Sequence, residues 1–175
     1  MTSMRITLRP LGSIDSETTK QIGESLNHVF GCPVRIKPGS NPFAYAYDST
    51  RKQYLASRLI ASLNALGKER DEKVLGIADI DLYAPRLNFV FGEADISSGT
   101  AVISLCRLRQ EFYGLPPDSK LFMERATKEA VHELGHTFGL GHCSDAKCVM
   151  HFSNSLDDTD LKQATFCGKC RPRVV

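Results

Sequence analysis

The sequence lacks any apolar run approaching membrane-spanning length, which excludes a transmembrane helix. It also lacks a strong charge balance. Its 22 Lys and Arg against 20 Asp and Glu leave +2, too mild to point by itself to nucleic acid or a membrane surface. Internal repeats, low-complexity tracts and long linkers are absent, so nothing divides the 175 residues, and one domain spanning 1–175 is expected. Arg5 and Arg9 interrupt the N-terminal apolar residues, so no secretory leader is readable and a cytoplasmic site is expected. With 42% hydrophobic and 24% charged residues, the chain is ordinary globular material with a sizeable core.

Histidine is scarce, and three of the five histidines fall within one run: His132-Glu133-Leu134-Gly135-His136-Thr137-Phe138-Gly139-Leu140-Gly141-His142. His132 and His136 are four residues apart, one turn apart on the same face of a helix, so both rings can reach one metal ion. Glu133 is turned aside from that face and can reach a water on the metal without displacing it. Gly139 can take the positive φ that ends a helix and folds the chain back, and His142 then returns as a third ligand. Three protein ligands with an open fourth position describe a catalytic zinc. The implied chemistry is peptide hydrolysis, with Glu133 as general base toward a zinc-bound water. Met150, eight residues past His142, is the candidate for a supporting Met-turn.

Cysteine extends the pattern. Cys143 and Cys148 form C-x4-C, and Cys167 and Cys170 form C-x2-C, the spacing of a structural zinc held by four thiolates. Disulfides or an iron–sulfur cluster are the competing readings. Lys147, Lys169, Arg171 and Arg173 lie close enough in sequence to offset the thiolate charge. Two zinc ions per chain follow, one catalytic and one structural. Because Cys143 adjoins His142, loss of the thiolate-bound metal is expected to loosen the third histidine. Cys32 and Cys106 sit in apolar runs and read as buried thiols. His28 and His151 read as structural or solvated.

Periodicity supplies the frame. Strands are expected at Met4–Leu8, Pro33–Lys37, Val74–Tyr83, Asn88–Gly92 and Thr100–Leu105. A helix capped by Asp15 or Ser16 carries Ile22, Leu26, Val29 and Phe30 on one face and stops at Gly31. A second carries Leu55, Leu59, Ile60, Leu63 and Leu66. Pro38–Ser49 reads as a loop. Pro116-Pro117-Asp118 opens the long metal-binding helix, on which Met123, Ala130, Val131, Leu134 and Phe138 face the core opposite the histidines. Ser155 and Asp158 form a capping box for a short last helix. The order βαβαβββα gives an α/β fold, a mixed twisted sheet packed with helices. The short strand near Phe89–Phe91 is a candidate edge bordering the cleft, where an extended peptide can add by β-augmentation.

The joint pattern of His132, Glu133, His136, Gly139, His142, Cys143, Cys148, Met150, Cys167 and Cys170 resembles the archaemetzincin branch of the metzincin metallopeptidases. The resemblance implies a metzincin-like sheet-and-helix part over 1–142 ending in the catalytic motif, and a small cysteine-rich, zinc-bound part over 143–175. It implies that His132, His136 and His142 bind the catalytic zinc, that Glu133 is the base and that Met150 underlies the site. The activity implied is that of a zinc peptidase, with aminopeptidase action among the family's descriptions, on peptide or unfolded protein substrates. The chain departs from those metzincins that carry Tyr two residues after the Met, since Phe152 stands there, and assistance from a tyrosine is therefore not expected. A catalytically restrained zinc-dependent binding module is the alternative, opposed by the intact Glu133. Nucleic-acid binding by the tail Lys169–Arg173 is not expected, because three basic residues without interleaved aromatics are too few. A monomer is favoured.

Overall fold

The computed structural model describes residues 4–174. In chain order they form β1 (Arg5–Pro10), α1 (Ser16–Phe30), β2 (Val34–Ile36), α2 (Phe43–Ala46), β3 (Tyr47–Asp48), β4 (Gln53–Leu55) and α3 (Ala56–Ala65). There follow β5 (Glu72–Ala78), β6 (Leu82–Tyr83), β7 (Gly92–Asp95), β8 (Thr100–Ser104), α4 (Ser119–Thr137) and α5 (Leu156–Leu161). A five-stranded sheet has the order β2-β1-β5-β8-β7, parallel except for β7, which runs antiparallel to β8 at the edge. Within this sheet and its large helices the order is βαβαβββα, as the periodicity predicts. The mixed α/β class holds.

The two-residue period of the strands decides which helix covers which face. Leu75, Ile77, Ala101 and Ile103 point to one side and pack with Ile22 and Leu26 of α1 and Ala130, Val131 and Leu134 of α4. Val74, Ala78 and Val102 point to the other and pack with Leu59, Ile60 and Leu63 of α3. Gly76 lies against the Leu63 and Leu11 side chains, where a built Cβ would meet Leu63 Cδ1 at 2.6 Å. Each buried Leu or Ile contributes roughly 1.5–3 kcal/mol, so the two layers carry most of the fold's stability. The helix ends follow their capping residues. Asp15 accepts a hydrogen bond from the Thr18 amide at 2.8 Å, and Gly31 takes φ 65° where α1 stops. Asp118 accepts from the Leu121 amide at 2.9 Å, and Ser155 with Asp158 completes the capping box of α5.

Three expectations need correction. Val74–Tyr83 is not one strand. It breaks at Asp79–Asp81, whose carboxylates are held by Arg109 and Arg107, and β6 leaves for a second, three-stranded sheet of order β3-β4-β6. Asn88–Gly92 is not the edge strand. The ladder begins at Gly92, and upstream only Val90 makes an isolated bridge, to Leu82. Phe89 is instead held by ring contacts, with the Arg107 guanidinium 4.2 Å above it and Phe91 5.2 Å away. The Pro38–Ser49 loop contains α2 and β3. In α4, Ala130, Val131 and Leu134 are buried as expected, and His132 and Glu133 are buried too.

Candidate active site

Twelve residues of α4 are buried, so its last turns run as an internal rod beneath the sheet edge. His132 and His136 project from one face, and after Gly139 (φ 84°) the chain folds back to bring His142 to the same point. The Leu140 amide bonds the Gly135 carbonyl at 3.3 Å, which fixes that reversal. The three histidines each present a ring nitrogen within 4.8 Å of the others, graded from buried His132 through half-buried His136 to exposed His142.

Ring orientation is set from behind. His132 Nδ1 lies 2.7 Å from the Val149 carbonyl and His136 Nδ1 2.7 Å from the Leu140 carbonyl. A carbonyl can only accept, so each Nδ1 carries the hydrogen and each Nε2 is left with a lone pair. The two Nε2 atoms then face each other at 3.1 Å. Two lone pairs so placed repel, and a shared cation removes the conflict. Tetrahedral ligands about 2.05 Å from a zinc would be separated by about 3.3 Å, close to the distance seen. Burial pushes His132 well below the usual imidazole range and lowers His136 and His142 as well, keeping the rings neutral for ligation.

Glu133 faces the opposite wall. Burial, then the nearby Glu129 charge, push its carboxyl well above the ordinary range. It fits because β7 begins with glycine, since a Cβ on Gly92 would lie 2.6 Å from Glu133 Cγ and 2.6 Å from the Val102 carbonyl oxygen. Nothing in the sequence pattern singled out Gly92. A cleft of about 490 Å³ opens here, lined on one side by 87–94 and on the other by Phe152, Ser153 and Asn154, with the three histidines and Glu133 at its floor. The rim is held from the second sheet: Arg51 Nη2 donates to the Leu87 carbonyl at 2.8 Å, and Gln53 Nε2 to the Asn88 carbonyl at 2.9 Å. These two residues were invisible to motif reasoning.

Met150 is fully buried against α4. A Cβ on Gly135 would approach its Sδ to 2.4 Å, so helix and Met side chain are in direct contact. Phe152 packs its ring 4.9 Å from that of His142 and brings no hydroxyl to the cleft. His151 turns away, with Nδ1 2.9 Å from the Cys143 carbonyl.

Beyond His142 the four cysteines converge, their sulfurs within 4.8 Å of one another. Cys143 and Cys167 sulfurs are 3.8 Å apart. This matches the edge of about 3.8 Å that four thiolates about 2.3 Å from a zinc would make. Backbone amides of Cys170 and Lys169 hold the Cys167 thiol down to about 7, while burial pushes Cys148 and Cys170 up. Four crowded thiols cannot all ionise alone, and a dication at their centre lets them. None of the six cysteines is in a disulfide. The expected charge-offsetting role of the tail is only partly realised: Arg171 donates to the Val29 carbonyl and Arg173 to the Gly139 carbonyl at 2.8 Å, so both tie the tail to backbone. Cys32 is buried and Cys106 half-buried, and neither enters a metal-competent group among the described residues.

Among the described residues no helix is long and apolar enough to cross a membrane. The model described as Peptidase family M54 matches residues 19–174. Archaemetzincin of Pyrococcus furiosus is 48% identical over 170 residues, 92% of this chain and 87% of that protein. Archaemetzincin of Methanocaldococcus jannaschii is 44% identical over 171 residues, 98% of this chain and 93% of that protein. The crystal structure of a zinc-dependent peptidase from Methanocorpusculum labreanum is similar with a TM-score of 0.89 at 34% identity, covering 97% of this chain and 100% of that one. That of archaemetzincin from Archaeoglobus fulgidus, complexed with malonate, gives 0.83 at 38% identity over 97% and 99%. The family model across residues 19–174 and relatives 44–48% identical over nearly the whole chain show that the chain belongs to peptidase family M54, the archaemetzincins, a family of zinc-dependent peptidases.

Proposed function

We propose that this chain hydrolyses peptide bonds in a cleft whose metal is held by His132, His136 and His142 and whose general base is Glu133. The observation that carries the reading is the facing pair of His132 and His136 Nε2 atoms, 3.1 Å apart, each with its Nδ1 committed to a backbone carbonyl. Zinc bound there supplies a Lewis acid that polarises the scissile carbonyl and acidifies water. The remaining steps belong to the chain. An extended peptide lies along β7, the sheet edge with no strand on its outer side, and its backbone pairs there. Glu133 takes a proton from the attacking water onto a carboxyl oxygen and delivers it to the leaving amine nitrogen. Phe152 brings no tyrosine hydroxyl to the cleft, and a metal held by the three histidines would supply the positive charge facing the polarised carbonyl oxygen.

A second zinc, held by Cys143, Cys148, Cys167 and Cys170, has a closed shell and a structural role. The Cys143 amide donates to the Met150 carbonyl at 2.9 Å, which supports mechanical coupling between the two centres. Residues 1–175 then act as one metallopeptidase domain, 143–175 being the thiolate-bound part that backs the catalytic motif. Substrates are peptides or unfolded segments, which alone can extend along the edge.

The test is hydrolysis of a peptide library by the zinc-loaded protein beside Glu133→Ala, with metal analysis of both. Cleavage by the wild type alone, with about two zincs in each protein, is the expected result, and the cut positions assign endopeptidase or aminopeptidase action. Equal inactivity with both zincs retained would overturn the reading in favour of a binding module.

A further inference from the structure

Behind the catalytic turn of α4 lies a buried charge cluster that no step above uses. Lys162, just after α5, has a side chain with 0% exposure, and its Nζ is 3.1 Å from Glu129 Oε1. Glu129 sits one turn before Glu133 on α4 and lines the same cleft. The Lys162 ammonium also reaches the His151 carbonyl at 3.4 Å, immediately beyond Met150 and at the foot of the 152–154 cleft wall. Thr159 of α5 donates to the same Glu129 oxygen at 3.2 Å. One ammonium therefore adds, beside the His132–Val149 hydrogen bond and the Gly135–Met150 contact, a charged link from α4 to the start of the 151–154 wall.

Stability does not account for this pair. Desolvating two charges offsets their attraction, and neutral replacements for buried ion pairs are often harmless or stabilising. Nor is Lys162 needed to dock α5. Arg125 grips Asp160 through two hydrogen bonds of 2.7 and 2.6 Å, and Lys128 donates to the Thr159 carbonyl at 3.1 Å and the Asp160 carbonyl at 3.2 Å. Among the described residues, Lys162 is the side chain that reaches both Glu129 and the His151 carbonyl.

We propose that Lys162, acting through Glu129, is a positioning residue of the peptidase site: it sets the separation between the Glu133-bearing turn of α4 and the Met150–Asn154 wall. The inference rests on the peptidase reading for its kinetic consequence but not for its structural one. A base displaced by about an ångström forfeits on the order of a hundredfold in rate, so a tether of this kind governs turnover more than binding.

The experiment uses the full chain, zinc-loaded, with Glu129→Gln and Lys162→Met together, so that no buried charge is left unpaired. The readouts are zinc content, thermal midpoint, amide exchange at 150–154, and kcat and KM on a peptide the wild type cuts. Expected are unchanged zinc content, an unchanged or raised midpoint, faster exchange confined to 150–154, and kcat lowered on the order of tenfold to a hundredfold with KM little altered. Wild-type exchange together with wild-type kcat would overturn the proposal and leave the pair as a mere tie. If methionine disrupts folding, Lys162→Gln in the same background serves, since glutamine is too short to reach His151, and the same outcomes decide. If the wild type cuts no peptide, the peptidase reading fails separately, and the exchange pattern alone then upholds or overturns the tether.

Discussion

Gly92→Ala tests whether the sheet edge and Glu133, the proposed base, share one packing constraint. Alanine is an ordinary strand residue, and removing glycine's backbone freedom should by itself stabilise a strand by roughly 0.5–1 kcal/mol. The structure argues the opposite sign. The added methyl would stand 2.6 Å from the Val102 carbonyl oxygen and 2.6 Å from Glu133 Cγ. Val102 lies in β8, held by β5 on one side and β7 on the other, so its carbonyl cannot retreat cheaply. Glu133 is buried and its helix is enclosed. Overpacking of this kind costs about 1–3 kcal/mol, leaving a net loss of up to about 2.5 kcal/mol. For a chain of this length that lowers the thermal midpoint by up to about 10 °C. The movable neighbour is the Glu133 side chain, so kcat should fall more than stability does, on the order of tenfold to a hundredfold. Circular dichroism melts and single-peptide kinetics measure both. Repeating the melt in a Glu133→Ala background removes the Cγ and Cδ contacts but keeps Val102, and the cost of Gly92→Ala should shrink there without vanishing. A midpoint that rises on Gly92→Ala, as at an unobstructed glycine, would refute the reasoning.

Gly135→Ala should likewise destabilise by about 1–2 kcal/mol despite the better helix propensity of alanine, because its Cβ would meet Met150 Sδ at 2.4 Å, and a thermal melt checks the sign. Cys143→Ser should release one zinc from the protein and weaken the other, measured by dialysis against a graded chelator, since Cys143 is covalently joined to His142 and bonded to the Met150 carbonyl; an unaltered affinity at the histidines would contradict the coupling. Glu72 gives a pH signature. Burial pushes its carboxyl up, but hydrogen bonds from the Thr7 hydroxyl, the Glu69 amide at 2.7 Å and Lys37 at 3.1 Å outweigh this and hold it below its ordinary value of 4.5. A depressed carboxyl adds stability above the unfolded value and loses it as pH falls through the folded one. The stability gap between wild type and Glu72→Gln in urea should therefore be full at pH 7 and close below about pH 4.

Local rules explain what could be read early. Asp15, Gly31, Asp118 and Ser155 cap their helices as expected because capping involves neighbours within a few residues. The histidine and cysteine groups were legible because ligand spacing is a local signal whose geometry a helix or a tight turn enforces. Strand bounds were less legible where side chains overrode alternation. Phe89 and Phe91 look like strand residues, yet Arg107, Arg51 and Gln53 hold their segment from a distance and delay the ladder to Gly92.

The amino-acid sequence by itself determined the α/β class and brought out seven candidate metal ligands, Glu133 as the candidate base and Met150 as the candidate Met-turn residue, because each rests on residue type and short spacing. Tertiary structure alone decided that Gly92 makes room for Glu133, that the small sheet of β3, β4 and β6 holds the cleft rim, and that Lys162 links Glu129 to His151. Those contacts join residues 11 to 41 positions apart. No local pattern encodes them, and they exist only once the two hydrophobic layers have fixed α4 against the sheet edge.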